Sequence, residues 1–257
     1  MVHDYTPITE IPGIGADREE LARLAHRYQV ASPYCTGKRV LEVACGAGMG
    51  LGLLAGTASL VVGGDVTRNL LAVAHGHYGG RVPLLQLDAH ALPFRTGSFD
   101  TVVLFEALYY LARPGDFIEE CRRVLSTDGT LIIGTVNREW AAFNPSPLSI
   151  RYHSGGELVE LCAEHGFETQ LFAAFPSGGS SRFGAVFSLI KRAAVSLHLI
   201  PKSMRAKQLL RRFFFGALSP VPNELEPQQN GDAPLTPVAP QRPITEFKIL
   251  YAIARRT

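Results

Sequence analysis

One stretch constrains this chain more than any other: an apolar run that breaks into glycines, Val40-Leu41-Glu42-Val43-Ala44-Cys45-Gly46-Ala47-Gly48. Val40 to Ala44 reads as a buried parallel strand, and Met49 to Ala55 as the helix after the loop. Gly46 and Gly48 lack side chains, so a ligand can approach the backbone closely and the chain can turn tightly. Strand, glycine loop and helix in that order form a nucleotide site. A dinucleotide fingerprint needs glycines at its first, third and sixth places. Here the sixth place is Leu51, with Gly50 and Gly52 on either side of it. The rest of the chain has to decide which nucleotide fits.

Composition sets the frame. At 257 residues, 46% hydrophobic and 19% charged, the chain has room for one α/β domain with embellishments. Met1 to Tyr5 lacks the basic start and apolar core of a signal peptide. No apolar run approaches the roughly 18 residues of a membrane span. Cys35, Cys45, Cys121 and Cys162 are scattered without a CxxC spacing. They read as reduced and cytoplasmic, with neither a disulfide framework nor a zinc site.

Residues 1–16 form an irregular arm with Pro7, Pro12, Gly13 and Gly15. Asp17 with Glu20 is a capping-box start for a helix whose apolar face is Leu21, Leu24, Ala25 and Tyr28. That helix either packs on the sheet edge or forms a lid, with Tyr28 or Arg23 reaching the ligand. Leu60 to Asp65 is a second strand ending in a carboxylate 19 residues beyond Gly46. The distance suits an acid that accepts hydrogen bonds from ribose hydroxyls, since neighbouring parallel strands end at one sheet edge. A dinucleotide fold expects the same acid. Val82 to Leu87 is a third strand followed at once by Asp88-Ala89, which can present a carboxylate to an adenine amino group.

Four blocks in order then carry a resemblance: Glu42 to Gly48; Asp65; Asp88-Ala89-His90-Ala91-Leu92-Pro93-Phe94; and Ser98-Phe99-Asp100-Thr101-Val102-Val103. Together they look like class I S-adenosylmethionine-dependent methyltransferases, in particular the small-molecule subgroup that includes quinone-biosynthesis enzymes. The resemblance covers about residues 37–172. The family often shows Asp-x-Gly-x-Gly-x-Gly; here Ala44-Cys45 is taken as the variable part and Gly46-x-Gly48-x-Gly50 as the retained glycines. The resemblance implies S-adenosylmethionine as cofactor, no metal, and contacts from Glu42, Ala44, Gly46, Gly48, Asp65, Val66, Asp88, Ala89, Phe105 and Tyr28. It also implies that Phe105 to Leu111 lines the methyl-donor end, with Tyr109 and Tyr110 toward the acceptor. An oxygen acceptor needs a base, whereas an amine needs only its free lone pair. His153, Tyr109 and Glu106 are the base candidates, and His153 also reads as an ordinary turn residue before the Ser154–Glu157 capping box.

The C-terminal third differs. From Thr169 to Asn223 there are eight basic residues and no acid, interleaved with Phe, Leu and Ile. The stretch reads either as an amphipathic surface for a membrane or an anionic acceptor, or as helices packed over the pocket with a solvated charged face. Ser219 to Pro243 is proline-rich and reads as a flexible linker or surface loop. Glu246 to Ala254 is a final strand.

The expected fold is α/β: a Rossmann-like, seven-stranded, mostly parallel sheet with helices on both faces. The last strand is antiparallel, with a helical insertion before it. All of 1–257 is one domain: arm and lid helix 1–36, cofactor core 37–174, acceptor-side insertion and loop 175–243, final strand 244–257. The expected function is methyl transfer to a small-molecule or lipid- or glycan-linked acceptor. The acceptor is expected to be anionic or lipid-linked, with peripheral membrane contact through 182–215 and no nucleic acid. The alternatives are a cofactor-binding module without catalysis and an NAD(P)-dependent oxidoreductase.

Overall fold

The computed structural model describes residues 4–177, 218–226 and 233–257. Seven strands follow the apolar runs: β1 Arg39–Val43, β2 Leu60–Asp65, β3 Leu84–Gln86, β4 Phe99–Phe105, β5 Leu125–Val136, β6 Phe167–Pro176 and β7 Phe247–Arg256. Their spatial order is β3-β2-β1-β4-β5-β7-β6, and the two-residue strand Thr236–Pro237 adds an eighth beyond β6. β1 to β5 run parallel. β7 is antiparallel to both neighbours, with Tyr251 opposite Gly134 on β5 and Phe172 on β6. The expected sheet is present, with one short edge strand more.

Alternation along the strands sends side chains to two cores. Val40, Val61, Val103, Phe105, Ile132 and Tyr251 face one way, with Leu24 and Tyr28 of α1 (Arg18–Cys35), Leu51 and Leu54 of α2 (Leu51–Ala55), and Ala74 and Tyr78 of α3 (Arg68–Tyr78). Leu41, Val102, Leu104, Ile133 and Leu250 face the other way, with Phe117 and Cys121 of α4 (Pro114–Val124) and Leu158 and Cys162 of α5 (Gly155–Glu164). Two-sided burial is why these strands are nearly continuous apolar runs. The helix starts follow local chemistry. Asp17 and Glu20 form the reciprocal capping box of α1, Ser154 and Glu157 that of α5, and Pro114 opens α4.

Three expectations shift. β3 is three residues long, because Asp88 already bridges to Ala91. β5 begins before the Asp128-Gly129 turn; Asp128 takes a left-handed φ of 61° and the pairing with β4 slips between Phe99 and Thr101. The described parts of the proline-rich segment are anchored. Ser219–Pro220 pairs with Gly15–Ala16, Val221 and Leu225 are buried, and the Leu225 N–H donates to the Met49 carbonyl at 2.8 Å. Of the two readings, flexible linker or surface loop, the described parts take the second, held down by apolar pegs. The helical insertion and the membrane contact through 182–215 lie almost wholly outside the described residues. Among the described residues, no helix is long and apolar enough to cross a membrane.

Asn137 fixes the passage from β5 to β7. It is fully buried; its Nδ2 donates to the carbonyls of Ile244 and Phe247 (2.8 Å to the latter). Its Oδ1 accepts from Glu139 N at 3.0 Å. Asn137→Ala leaves these backbone groups unpaired in a dry site and should cost about 2–4 kcal/mol. Urea denaturation checks this; a loss below about 1 kcal/mol would mean that water replaces the amide.

Candidate active site

At the carboxyl ends of β1, β2 and β4 lies a cavity of about 560 Å³. That volume falls within the roughly 300–1,000 Å³ of small-molecule sites. Each wall follows from a strand end. Glu42 to Ala47 leave β1, Asp65-Val66 leave β2, Leu87 to His90 follow β3, and Phe105 to Ala112 follow β4. α1 contributes Arg23, Leu24, Arg27 and Tyr28, and the arm contributes Tyr5, Ile8, Thr9 and Glu10.

The loop after β1 is wound left-handed at alternate residues: Ala44 at φ 58°, Gly46 at 57° and Gly48 at 76°. The three left-handed places are therefore 44, 46 and 48, so Gly50, taken from the sequence as a retained motif glycine, is not one of them. Ala44 occupies a position that favours glycine, at a steric cost of about 1–2 kcal/mol. Gly50 has an ordinary φ of −99° and is needed for a different reason. A Cβ there would lie 1.9 Å from the Tyr28 ring. Gly48 is a packing glycine beneath the loop, where a Cβ would meet Leu51, Ala74 and Tyr78 at 3.0–3.2 Å. Leu51, in the sixth place of the fingerprint, fills that space.

Carboxylates dominate the wall. Asp65 accepts from Gly46 N at 2.8 Å and from Thr67 N at 2.7 Å, tying the end of β2 to the glycine loop. Burial pushes its pKa up against those two backbone donors. Glu42 is 2% exposed and accepts from the Tyr28 hydroxyl at 2.7 Å through Oε1, while its Oε2 has no partner. Burial raises its pKa to about 7, opposed by the Tyr28 hydrogen bond and the Arg27 charge. Asp88 is the exposed member; its Oδ1 accepts from His90 N at 2.9 Å, which lowers its pKa. Glu106, left-handed at φ 52°, accepts from the Tyr109 hydroxyl at 3.0 Å. Burial raises its pKa, opposed by Arg27. Arg27 donates to both oxygens of Glu10 at 3.0 and 3.2 Å. Burial works against its charge, and Glu10 and Glu106 outweigh burial to keep the guanidinium protonated.

Of the residues read from the sequence, Glu42, Ala44, Gly46, Asp65, Val66, Asp88, Ala89, Phe105, Tyr28, Glu106 and Tyr109 all line this cavity. Gly48 and His153 do not. His153 sits one residue before the Ser154 cap, buried and with Nδ1 unpartnered. Burial lowers its pKa, but the turn holds it away from the cavity, so it loses its place among the base candidates. Tyr28 sits with its ring edge-on to Phe105 at 5.3 Å, so α1 packs on the sheet and walls the cavity at once. Glu10, Arg27 and the arm's Tyr5 were missed. Arg27 had a signal: it lies four residues after Arg23, on the face of Leu24 and Tyr28.

Two outcomes follow. Glu42 titrates near pH 7 in the folded chain against 4.5 for a free glutamate. Between those values the folded state holds a proton that the unfolded chain has released. This group therefore lowers stability as pH rises from 4.5 to 7. Glu42→Gln cannot ionise, so its stability relative to the native chain should improve by about 1–3 kcal/mol between pH 5 and 8 in urea titrations. An unchanged difference would contradict the raised pKa. Ala44→Gly should stabilise the fold by about 1 kcal/mol in thermal melts, by relieving the left-handed alanine.

Comparison with known proteins agrees with this geometry. Residues 41–133 match the family described as methyltransferase domain, Methyltransf_11. A probable S-adenosylmethionine-dependent methyltransferase of Mycolicibacterium smegmatis is 32% identical over 166 residues, 62% of this chain and 63% of that one. A ubiquinone biosynthesis O-methyltransferase of Glaesserella parasuis is 31% identical over 116 residues, 42% of this chain and 49% of the other. The chain thus spans 63% and 49% of the length of these two relatives. The crystal structure of an S-adenosylmethionine-dependent methyltransferase from Thermotoga maritima superposes with a TM-score of 0.59 at 16% identity, covering 93% of this chain and 91% of that one. At that identity the superposition shows the fold alone. In its matched core, residues 41–133, and in its sheet order, this chain is similar to S-adenosylmethionine-dependent methyltransferases.

Proposed function

We propose that the chain binds S-adenosylmethionine in this cavity and transfers its methyl group to a small-molecule acceptor. The observation that carries the reading is the charge of the wall: five carboxylates (Glu10, Glu42, Asp65, Asp88 and Glu106) against two guanidiniums, with the buried Oε2 of Glu42 unpartnered. A buried carboxylate oxygen without a donor calls for a cationic or donor-bearing ligand. The same wall repels the phosphates of a nicotinamide dinucleotide.

When bound, S-adenosylmethionine supplies a methyl group on a cationic sulfur that departs as a neutral thioether. The chain's own part is to bind, orient and keep water out. Asp65 and Asp88 offer acceptors to a nucleoside, Gly46 permits close backbone approach, and Glu42 offers a charge to a cation. Tyr28 and Phe105 close off the floor. Positioning two reactants accounts for most of the rate gain in such a site. Of the base candidates on the wall, burial pushes the Tyr109 hydroxyl well above its usual range and makes it a poor base. Glu106, whose carboxyl Tyr109 orients, is left to take a proton from an oxygen acceptor.

Isothermal calorimetry tests the reading directly. The native chain should bind S-adenosylhomocysteine and not NADH. Asp65→Ala should weaken that binding by about 1.5–3 kcal/mol, the loss of a charge-assisted hydrogen bond and of the tie to Gly46. Binding of NADH with none of S-adenosylhomocysteine would overturn the proposal.

A further inference from the structure

Among the described residues, one cation on the cavity wall has only a long ion-pair contact. Arg23 lines the cavity beside Leu24 and Arg27, with its side chain 27% exposed. Its one ion-pair contact among the described residues is Glu19, four residues back, at 3.9 Å. Glu19 is already taken: Lys248 Nζ donates to both of its oxygens, at 2.7 and 2.8 Å. Arg27, one turn further on, is held by Glu10 and is not free in this way.

The position of Arg23 separates it from the nucleoside end. Arg23 and Arg27 both act electrostatically on Glu106, whereas Arg27 alone of the two acts on Glu42. Arg23 therefore belongs to the Glu106 side. The wall there is aromatic. Tyr109 and Tyr110 meet at 4.5 Å between ring centroids, and Tyr5 of the arm lies 5.2 Å from Tyr110. Ile150, 61% exposed, forms the lip. These rings touch one another and form an aromatic wall, against which a planar body can lie. A guanidinium with open donors takes a carboxylate or phosphate in a paired, fork-like contact.

We propose that Arg23 anchors an oxyanion on the methyl acceptor, and that the acceptor is an aromatic compound carrying a carboxylate or phosphate. This rests on the function proposed above and names the substrate class of the same site.

Binding measurements separate the two levels of the argument. Protein saturated with S-adenosylhomocysteine is titrated with 4-hydroxybenzoate, 4-hydroxyphenyl phosphate and neutral 4-methylphenol. One or both anions should bind about tenfold tighter than the neutral phenol, and the two anionic arms show which oxyanion is preferred. Arg23→Gln should abolish that preference and Arg23→Lys should keep part of it, with S-adenosylhomocysteine affinity unchanged in both. Equal binding of all three probes, undetectable binding included, overturns the inference, as does a preference that survives Arg23→Gln. A third overturning result is Arg23→Gln weakening S-adenosylhomocysteine but not methylthioadenosine, because Arg23 would then hold the cofactor's own carboxylate. Failure of the native chain to bind S-adenosylhomocysteine at all would sink the proposed function instead.

Discussion

The chain leaves β1 against the conformational preference of its own residues, and the site depends on that departure. Ala44 sits at a left-handed φ that alanine disfavours, and Gly46 and Gly48 repeat the turn. Such a loop persists only where its surroundings over-determine it. Here the Asp65 carboxylate holds Gly46 N, the Gly64 carbonyl receives Cys45 N at 3.0 Å, and the Tyr78 hydroxyl donates to the Gly48 carbonyl at 2.7 Å. Three groups from two other elements, β2 and α3, pin one turn. Glu106 repeats the arrangement after β4: it is left-handed too, and its N–H is held by Gly134 of β5 at 2.8 Å. Of the left-handed non-glycine residues among the described ones, these two line the cavity, and Asp128, Leu148 and Phe175 do not.

Buried charge is the second ordering influence. Arg27 would be costly to bury alone, but Glu10 from the arm and Glu106 from beyond β4 face it from two sides. The pairing does more than neutralise charge. It fastens the arm to α1, so the arm can serve as a wall, with the Thr9 methyl 3.2 Å from where a side chain at Gly46 would begin. Removing one partner of such a buried pair costs more than the pair contributes, because the other charge is left uncompensated.

How much of this could be read from residues alone depended on range. β1, β2, β4 and β7 are short apolar runs whose pattern is local, and the capping boxes at Asp17 and Ser154 are three-residue signatures. Asp65 and Asp88 were legible because parallel strands end at one edge, so sequence order maps onto position. The glycines were harder. Which of Gly46, Gly48 and Gly50 meets ligand, and which makes room for Leu51 or the Tyr28 ring, depends on residues that arrive from α1 and α3. The proline-rich segment stayed open between flexible linker and surface loop, because composition describes backbone freedom and not the pegs, Val221 and Leu225, that hold it. His153 stayed open between base and turn residue because a histidine before a cap carries no information about the direction of its ring.

The seams of the molecule close late. Gly13 and Ile14 of the arm exchange backbone hydrogen bonds with Val221, and β6 joins the sheet only through β7. Partners separated by some two hundred residues cannot meet until most of the chain has left the ribosome. The half that carries β1 to β4 can pack early, through contacts of short sequence separation, and waits with an unzipped β5 edge and an undocked arm. Loop-closure entropy makes such distant pairings slow, and open strand edges invite association with other chains in the interval. A nascent chain of this topology therefore stays adhesive longest on the side that later becomes the roof of the cavity and the seat of β7.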